Sequence, residues 1–173
     1  MSGDNLYAQA KKLYDEASTK EAMTMYEQAR AAFLAEGNAL LAARAANDLG
    51  VVYHLLGRHD DARKIFAETL AAFEQLGDVL GQAKAVGNLA SLQERAGDRT
   101  GAEQNYLRAG ELFHQLGEKT FEYDTYRALS QLQLSGGRWL EALATFDRAL
   151  AAKGGSRFLR WFLQIPLKML GIR

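Results

Sequence analysis

Residues 49–66 read LGVVYHLLGRHDDARKIF; the chain writes the same pattern again as LASLQERAGDRTGAEQNY over 89–106 and as LSQLQLSGGRWLEALATF over 129–146. Leu49, Gly57, Ala62 and Phe66 keep register with Leu89, Gly97, Ala102 and Tyr106, and with Leu129, Gly137, Ala142 and Phe146. Gly37, Gly77 and Gly117 form a further series at the same forty-residue interval. Self-similarity at this period marks an array of stacked supersecondary units, each too small to bury its own apolar face. Around the quoted stretch, Ala45, Leu49, Val52 and Tyr53 fall on one helical face, and Ala62, Ile65, Phe66, Leu70 and Phe73 on another. A glycine follows each face, as expected where a helix stops in the left-handed conformation. Each unit is therefore predicted to be two helices.

Helices are predicted at about 4–17 and 19–35, 38–56 and 59–76, 78–96 and 99–116, and 118–135 and 138–152. The corresponding repeats cover about 4–37, 38–77, 78–117 and 118–152, within a repeat domain of residues 1–152. Connections this short make neighbouring helices antiparallel. The first copy is the least regular, with Gln9 at the Leu49 position and Ala17 at the Gly57 position. Ala62, Ala102 and Ala142 are read as close helix crossings, and Phe66, Tyr106 and Phe146 as fillers between adjoining helices.

Composition sets the remaining bounds. A 48% apolar and 24% charged chain of 173 residues is that of a folded globular protein. The absence of cysteine excludes disulfides, thiolate metal sites and a cysteine nucleophile, and fits a cytoplasmic address. The N-terminus lacks the basic and apolar succession of a secretory signal. All 21 acidic residues but only 16 of the 21 Lys and Arg precede residue 153, so residues 1–152 carry a net −5 and the remainder +5. An acidic body argues against nucleic acid as partner, since that binding rests on neutralising phosphates.

In these positions the chain resembles the tetratricopeptide repeat family: Leu49-Gly50, the aromatic Tyr53, the turn residue Gly57, the packing residue Ala62 and the aromatic Phe66 follow its pattern. Ala90 and Ser130 replace Gly50 in later copies, and Gln93 and Gln133 replace Tyr53. The forty-residue period is similar to that of the subgroup seen in bacterial regulators and in kinesin light chains. The resemblance covers about residues 4–152. It implies an all-α fold, an α-solenoid of four helix hairpins wound as a right-handed superhelix. It also implies a non-enzymatic scaffold or adaptor that takes a peptide or helix of a partner protein in a groove lined by the first helix of each repeat. That groove would be lined by Arg44, Asn47, Asp48, Val51 and His54, then Lys84, Asn88, Ser91, Glu94 and Arg95, then Asp124, Arg127, Gln131 and Leu134. An asparagine such as Asn88, donor and acceptor in one group, suits contact with a ligand backbone. Arg44, Lys84 and Arg127 read either as a cationic lining or as ordinary helix-surface ion pairs, Arg127 with Asp124 at i, i+3 being well placed.

No catalytic, cofactor or metal constellation is legible. His54, His59 and His114 lack any second-ligand spacing and read as surface or helix-end residues. Asp60 and Asp61 follow a helix stop, where negative charge complements the dipole of the next helix. There is no P-loop, dinucleotide fingerprint or nucleophile elbow.

After Ala152 the register ends. In residues 153–173, Ser156 is a good N-cap, and Arg157, Arg160, Gln164 and Lys168 form one narrow polar stripe on a predicted amphipathic helix. Phe158, Trp161, Phe162, Leu163, Ile165 and Leu167 occupy much of the remaining circumference, and Pro166 kinks or restarts the helix. Three readings of this tail stand open. It packs on its own chain, it mediates homo-oligomer or partner contacts, or it lies in an anionic membrane surface and makes the protein membrane-peripheral.

Overall fold

The computed structural model describes residues 1–155 together with Trp161 and Ile165. Within residues 1–155 the helices are α1 (Gly3–Asp15), α2 (Thr19–Ala35), α3 (Ala39–Leu55), α4 (His59–Leu76), α5 (Val79–Arg95), α6 (Arg99–Leu116), α7 (Lys119–Ser135) and α8 (Trp139–Ala152). No strand occurs among the described residues. The architecture is an α-solenoid of helix hairpins, and each helix predicted within residues 1–152 is found with ends within two residues of those expected. Of the tail after Gly155, Trp161 and Ile165 fall among the described residues, and both are helical.

The turns share one geometry. After α4, Gly77 adopts φ 69°, its N–H donates to the Glu74 carbonyl (3.3 Å) and the Asp78 N–H donates to the Phe73 carbonyl (2.9 Å). This is the paired closure that satisfies the last carbonyls of a helix. The first turn makes the same bonds without glycine: Ala17 sits at φ 59°, with Ser18 N–H on the Leu13 carbonyl at 2.9 Å. An L-residue there pays for contact between its Cβ and the carbonyl. Ala17→Gly is therefore expected to stabilise the protein by up to about 1 kcal/mol, less what glycine costs in unfolded-chain entropy, raising the melting temperature by roughly 2–4 °C. A melting curve unchanged or lowered would contradict this.

By its contacts the described chain divides into two compact units, Met1–Leu92 and Gln93 onward. In the first, α1 packs on α2, α2 on α3, and α3 on α4. Ala29, Phe33, Ala42 and Ala45 form one part of its core; Tyr26, Leu49, Val52, Ala62, Phe66 and Leu92 belong to another; and Phe73 joins Ala43 and Ala85. The predicted crossing residue Ala62 is fully buried. Glycine makes a second kind of close approach that the periodicity does not announce. A Cβ on Gly50 would lie 2.5 Å from Phe66 Cε1, and one on Gly81 would lie 2.4 Å from Phe73 Cδ1.

In the second unit α6 packs on α7 and α7 on α8. Ala102, Tyr106, Phe113, Tyr126, Leu129, Leu132 and Ala142 are buried. Glu103 accepts from Arg138 (2.5 Å) and Gln133 (3.0 Å), and the Arg138 hydrogen bond is the main cause holding its carboxyl below the usual range. Phe146, expected as an interhelical filler like Phe66, is only half-buried. It borders a cavity lined by residues of α7 and α8.

Candidate functional site

A polar ladder crosses the first helices of the first unit. Tyr7 on α1 donates its O–H to Asp48 Oδ2 on α3 at 2.6 Å, and Asn88 on α5 donates Nδ2–H to Asn47 Oδ1 on α3 at 3.3 Å. Both bonds join residues 41 positions apart, so the same diagonal step of the repeat is used twice. Asn47 and Asp48 are adjacent in α3, so the two rungs stand side by side, and the Asn47 side chain favours the charged form of the Asp48 carboxyl. Asn47 is only 4% exposed. A buried amide of this kind is held by its partners, and it in turn holds Asn88 in one orientation.

Burial raises the Asp48 carboxyl above its ordinary value, against the opposing effects of the Tyr7 hydrogen bond, then Lys84 and Lys11, and then Asn47. Burial, followed by the neighbouring Asp48 charge, raises the Tyr7 phenol, so Tyr7 stays a donor at neutral pH. A carboxyl whose folded value exceeds its unfolded one favours folding most below the ordinary carboxylate range, and that contribution is lost as pH rises through the elevated value. Asp48→Asn keeps an acceptor for Tyr7 and removes the titration. It is expected to flatten the fall in urea midpoint from about pH 4 to 7 relative to wild type. Parallel pH profiles for the two proteins would overturn that assignment.

The groove residues read from the sequence separate into different environments. Asn47 is buried, Val51 packs against the apolar core, and Lys84, Asn88 and Ser91 are half-buried on α5. Arg44 is engaged by Asp78, its Nε and Nη2 lying 3.1 and 3.0 Å from one carboxylate oxygen. Arg127 and Gln131 lie in the second unit, where they line the cavity beside α7 and α8 with Leu134, Trp139, Leu143 and Phe146. Arg127 pairs with Asp124 at 3.7 Å, at the expected i, i+3 spacing. Of the tail residues, Arg157, Phe158, Arg160, Phe162, Leu163 and Leu167 lie outside the described residues. Trp161 is exposed and Ile165 half-buried.

Tyr7 is the member of the ladder that sequence reasoning missed. Its signal was present, because Tyr7 stands forty residues before Asn47. The three histidines occupy helix ends, His54 and His59 facing each other across the α3–α4 turn with ring centroids 5.2 Å apart. Asp60 and Asp61 sit in the first turn of α4.

Residues 6–75 match the family model described as the tetratricopeptide repeat. Over that stretch the helix pairs are tetratricopeptide-like repeats. No curated protein sequence matches the chain. Among solved structures it is similar to BtubC (BKLC) from P. vanneervenii, at 21% identity and a TM-score of 0.76, over 88% of this chain and 63% of that one. It is also similar to a Rap protein complexed with Competence and Sporulation Factor, at 17% identity and a TM-score of 0.82, over 88% of this chain and 43% of that one. A Podosopora anserina putative kinesin light chain with nearly identical TPR-like repeats matches at 13% identity and a TM-score of 0.66, over 97% of this chain and 94% of that one. The likeness at these identities is one of fold. The chain spans less than two thirds of the BtubC and Rap chains.

Proposed function

We propose that this protein is a non-enzymatic scaffold that binds a peptide segment of a partner protein along the α1–α3–α5 face of its first unit. The observation that carries the reading is the held asparagine. Asn88 spends one N–H on Asn47, and its second N–H and its carbonyl match the C=O and N–H of a peptide backbone. Orienting that amide before the ligand arrives reduces the entropy lost on binding. Lys84 and Lys11 beside Asp48 make the face mixed in charge, which suits a polar peptide better than an apolar one. The similar Rap protein is itself described in complex with Competence and Sporulation Factor, which is consistent with a binding role for this fold.

Peptides selected from a random library against the full chain provide the test. Asn88→Ala is expected to weaken the selected binders about tenfold, the scale of losing one hydrogen bond at an interface, while melting shows that the fold persists. Binders unaffected by Asn88→Ala and Lys84→Ala together would place recognition elsewhere. The rival reading, a membrane-peripheral factor anchored by the tail, predicts co-sedimentation with anionic vesicles that is lost on cutting after Gly155. No helix among the described residues is long and apolar enough to cross a membrane.

A further inference from the structure

His54 lies in the last turn of α3 and His59 opens α4, so a turn brings together two imidazoles whose five-residue spacing would not pair them on one helix face. That turn is held at both ends. Gly57 adopts φ 76°, its N–H donates to the His54 carbonyl at 3.1 Å, and the Arg58 N–H donates to the Tyr53 carbonyl at 2.9 Å. Across it the two rings stand with centroids 5.2 Å apart and planes inclined at 54°. The Nδ1 atoms of both rings are shut off from solvent, and that of His59 has no hydrogen-bond partner. Unpartnered buried polar atoms are rare in folded proteins, and an ion or an ordered water is what commonly satisfies them.

We propose that His54 and His59 form a two-imidazole chelate for a divalent transition-metal ion of the zinc class, which clasps the end of α3 to the start of α4. With metal–nitrogen bonds of about 2.0–2.1 Å, a ring centroid lies roughly 3.2 Å from the metal, and two such rings at about 109° stand roughly 5.2 Å apart. That is the separation found here. The inclination fits as well, because an imidazole lone pair lies in the plane of its ring: stacked parallel rings cannot share an ion, whereas inclined planes intersect. Nitrogen donors suit zinc, nickel and copper, while magnesium and calcium take oxygen. The charges around the turn also favour a cation. The negative pole of α3 ends beside His54, and Asp60 and Asp61 in the first turn of α4 offset the positive pole beside His59. Arg58, between the two histidines, is held by Asp61 at 2.7 Å and lies over the Tyr53 ring. Among the described residues no group of three or more His, Cys, Asp or Glu is placed to hold a metal. The pair therefore supplies two ligands and water the others, which makes this an open, exchangeable site.

Zinc titration of the full chain by calorimetry at neutral pH tests the site. One zinc per chain is expected, and no heat with magnesium. His54→Gln and His59→Gln should each weaken zinc binding at least about tenfold, since the loss of groups that only support a ligand already costs about 10–100-fold. His114→Gln, at a histidine that pairs with Glu122 at 2.8 Å, should leave the affinity unchanged. In the unaltered protein the imidazole nitrogen resonances of His54 and His59 should shift together on adding zinc, which reads the contact without any substitution. Zinc should also raise the urea midpoint of the wild type and of neither His54→Gln nor His59→Gln, because it binds the folded turn in preference to the unfolded chain. No binding at millimolar zinc would overturn the proposal, as would binding that survives both single replacements. One zinc per two chains, with dimers that need zinc, would overturn it in favour of a site shared between copies.

Discussion

Phe73→Ala should cost this protein about 3–5 kcal/mol and lower its melting temperature by roughly 6–20 °C. Phe73 is 1% exposed and joins Ala43 of α3 and Ala85 of α5, so its ring is shared by three helices. Its buried neighbours in the cluster are both alanines, with Leu40, Leu70 and Ala72 partly buried against it, and Gly81 approaches so closely that a Cβ there would fall 2.4 Å from the ring. The alanines and glycine have no side chains with which to collapse into the space a missing ring leaves, so a large part of the cavity term is retained. Stacked repeats depend on such interfaces because neither member buries its own apolar face alone. Leu76→Ala, three residues on and 46% exposed, is the control and should shift stability by less than about 0.5 kcal/mol. Urea unfolding followed by circular dichroism reads both. A cost below about 1 kcal/mol for Phe73→Ala would show that the three helices repack around the loss.

Gly50→Ala acts in the opposite sense, by overfilling. The added Cβ would lie 2.5 Å from Phe66 Cε1 and 2.7 Å from Ile65 Cγ2. Both side chains are buried, Phe66 at 1% exposure, and neither has solvent to move into. The expected cost is about 1–3 kcal/mol. The mechanism has a signature that simple loss of a contact lacks: Phe66→Leu, harmful by itself, should restore part of the stability of Gly50→Ala. The two changes are therefore expected to be non-additive in the favourable direction by about 0.5 kcal/mol or more. Strict additivity in a double-mutant cycle would mean that helix propensity, in which alanine exceeds glycine, outweighs the clash.

Most of the fold was legible because its determinants are local and repeated. Leu49, Gly57, Ala62 and Phe66 each state one thing about their own helix or turn, and each statement recurs in register. The turn glycines illustrate this well, since a positive φ is a single-residue requirement. Ala17 shows the limit of the rule, because the first turn adopts the same geometry with an alanine. The site was legible only in part. Asn88 was singled out by its position before Leu89, while Asn47, also expected to line the groove, is buried and accepts a hydrogen bond from it. Arg44, a candidate groove cation, is bound by Asp78, and nothing in the spacing of residues 44 and 78 announces that pair. Side chains 34 to 41 positions apart meet through the crossing of two helices, and periodicity records faces without recording which groups across a crossing come within bonding distance.

The amino-acid sequence by itself determined the eight helices, their turns and the small and large positions of the repeat, because helix period, cap chemistry and residue volume act over one or two turns of chain. It also marked the end of the repeat near Ala152, where the register and the charge both change. Tertiary structure alone decided which polar residues share hydrogen bonds, as in the ladder from Tyr7 to Asn88. It likewise decided where glycine rather than alanine brings backbone onto an aromatic ring, and which copy of a repeated aromatic position borders a cavity. Phe66 and Phe146 occupy the same position in the repeat, yet one is enclosed and the other borders a cavity. Burial depends on what lies beyond a residue as well as on the residue itself, and that depends on packing between helices rather than on the residue's place in the repeat.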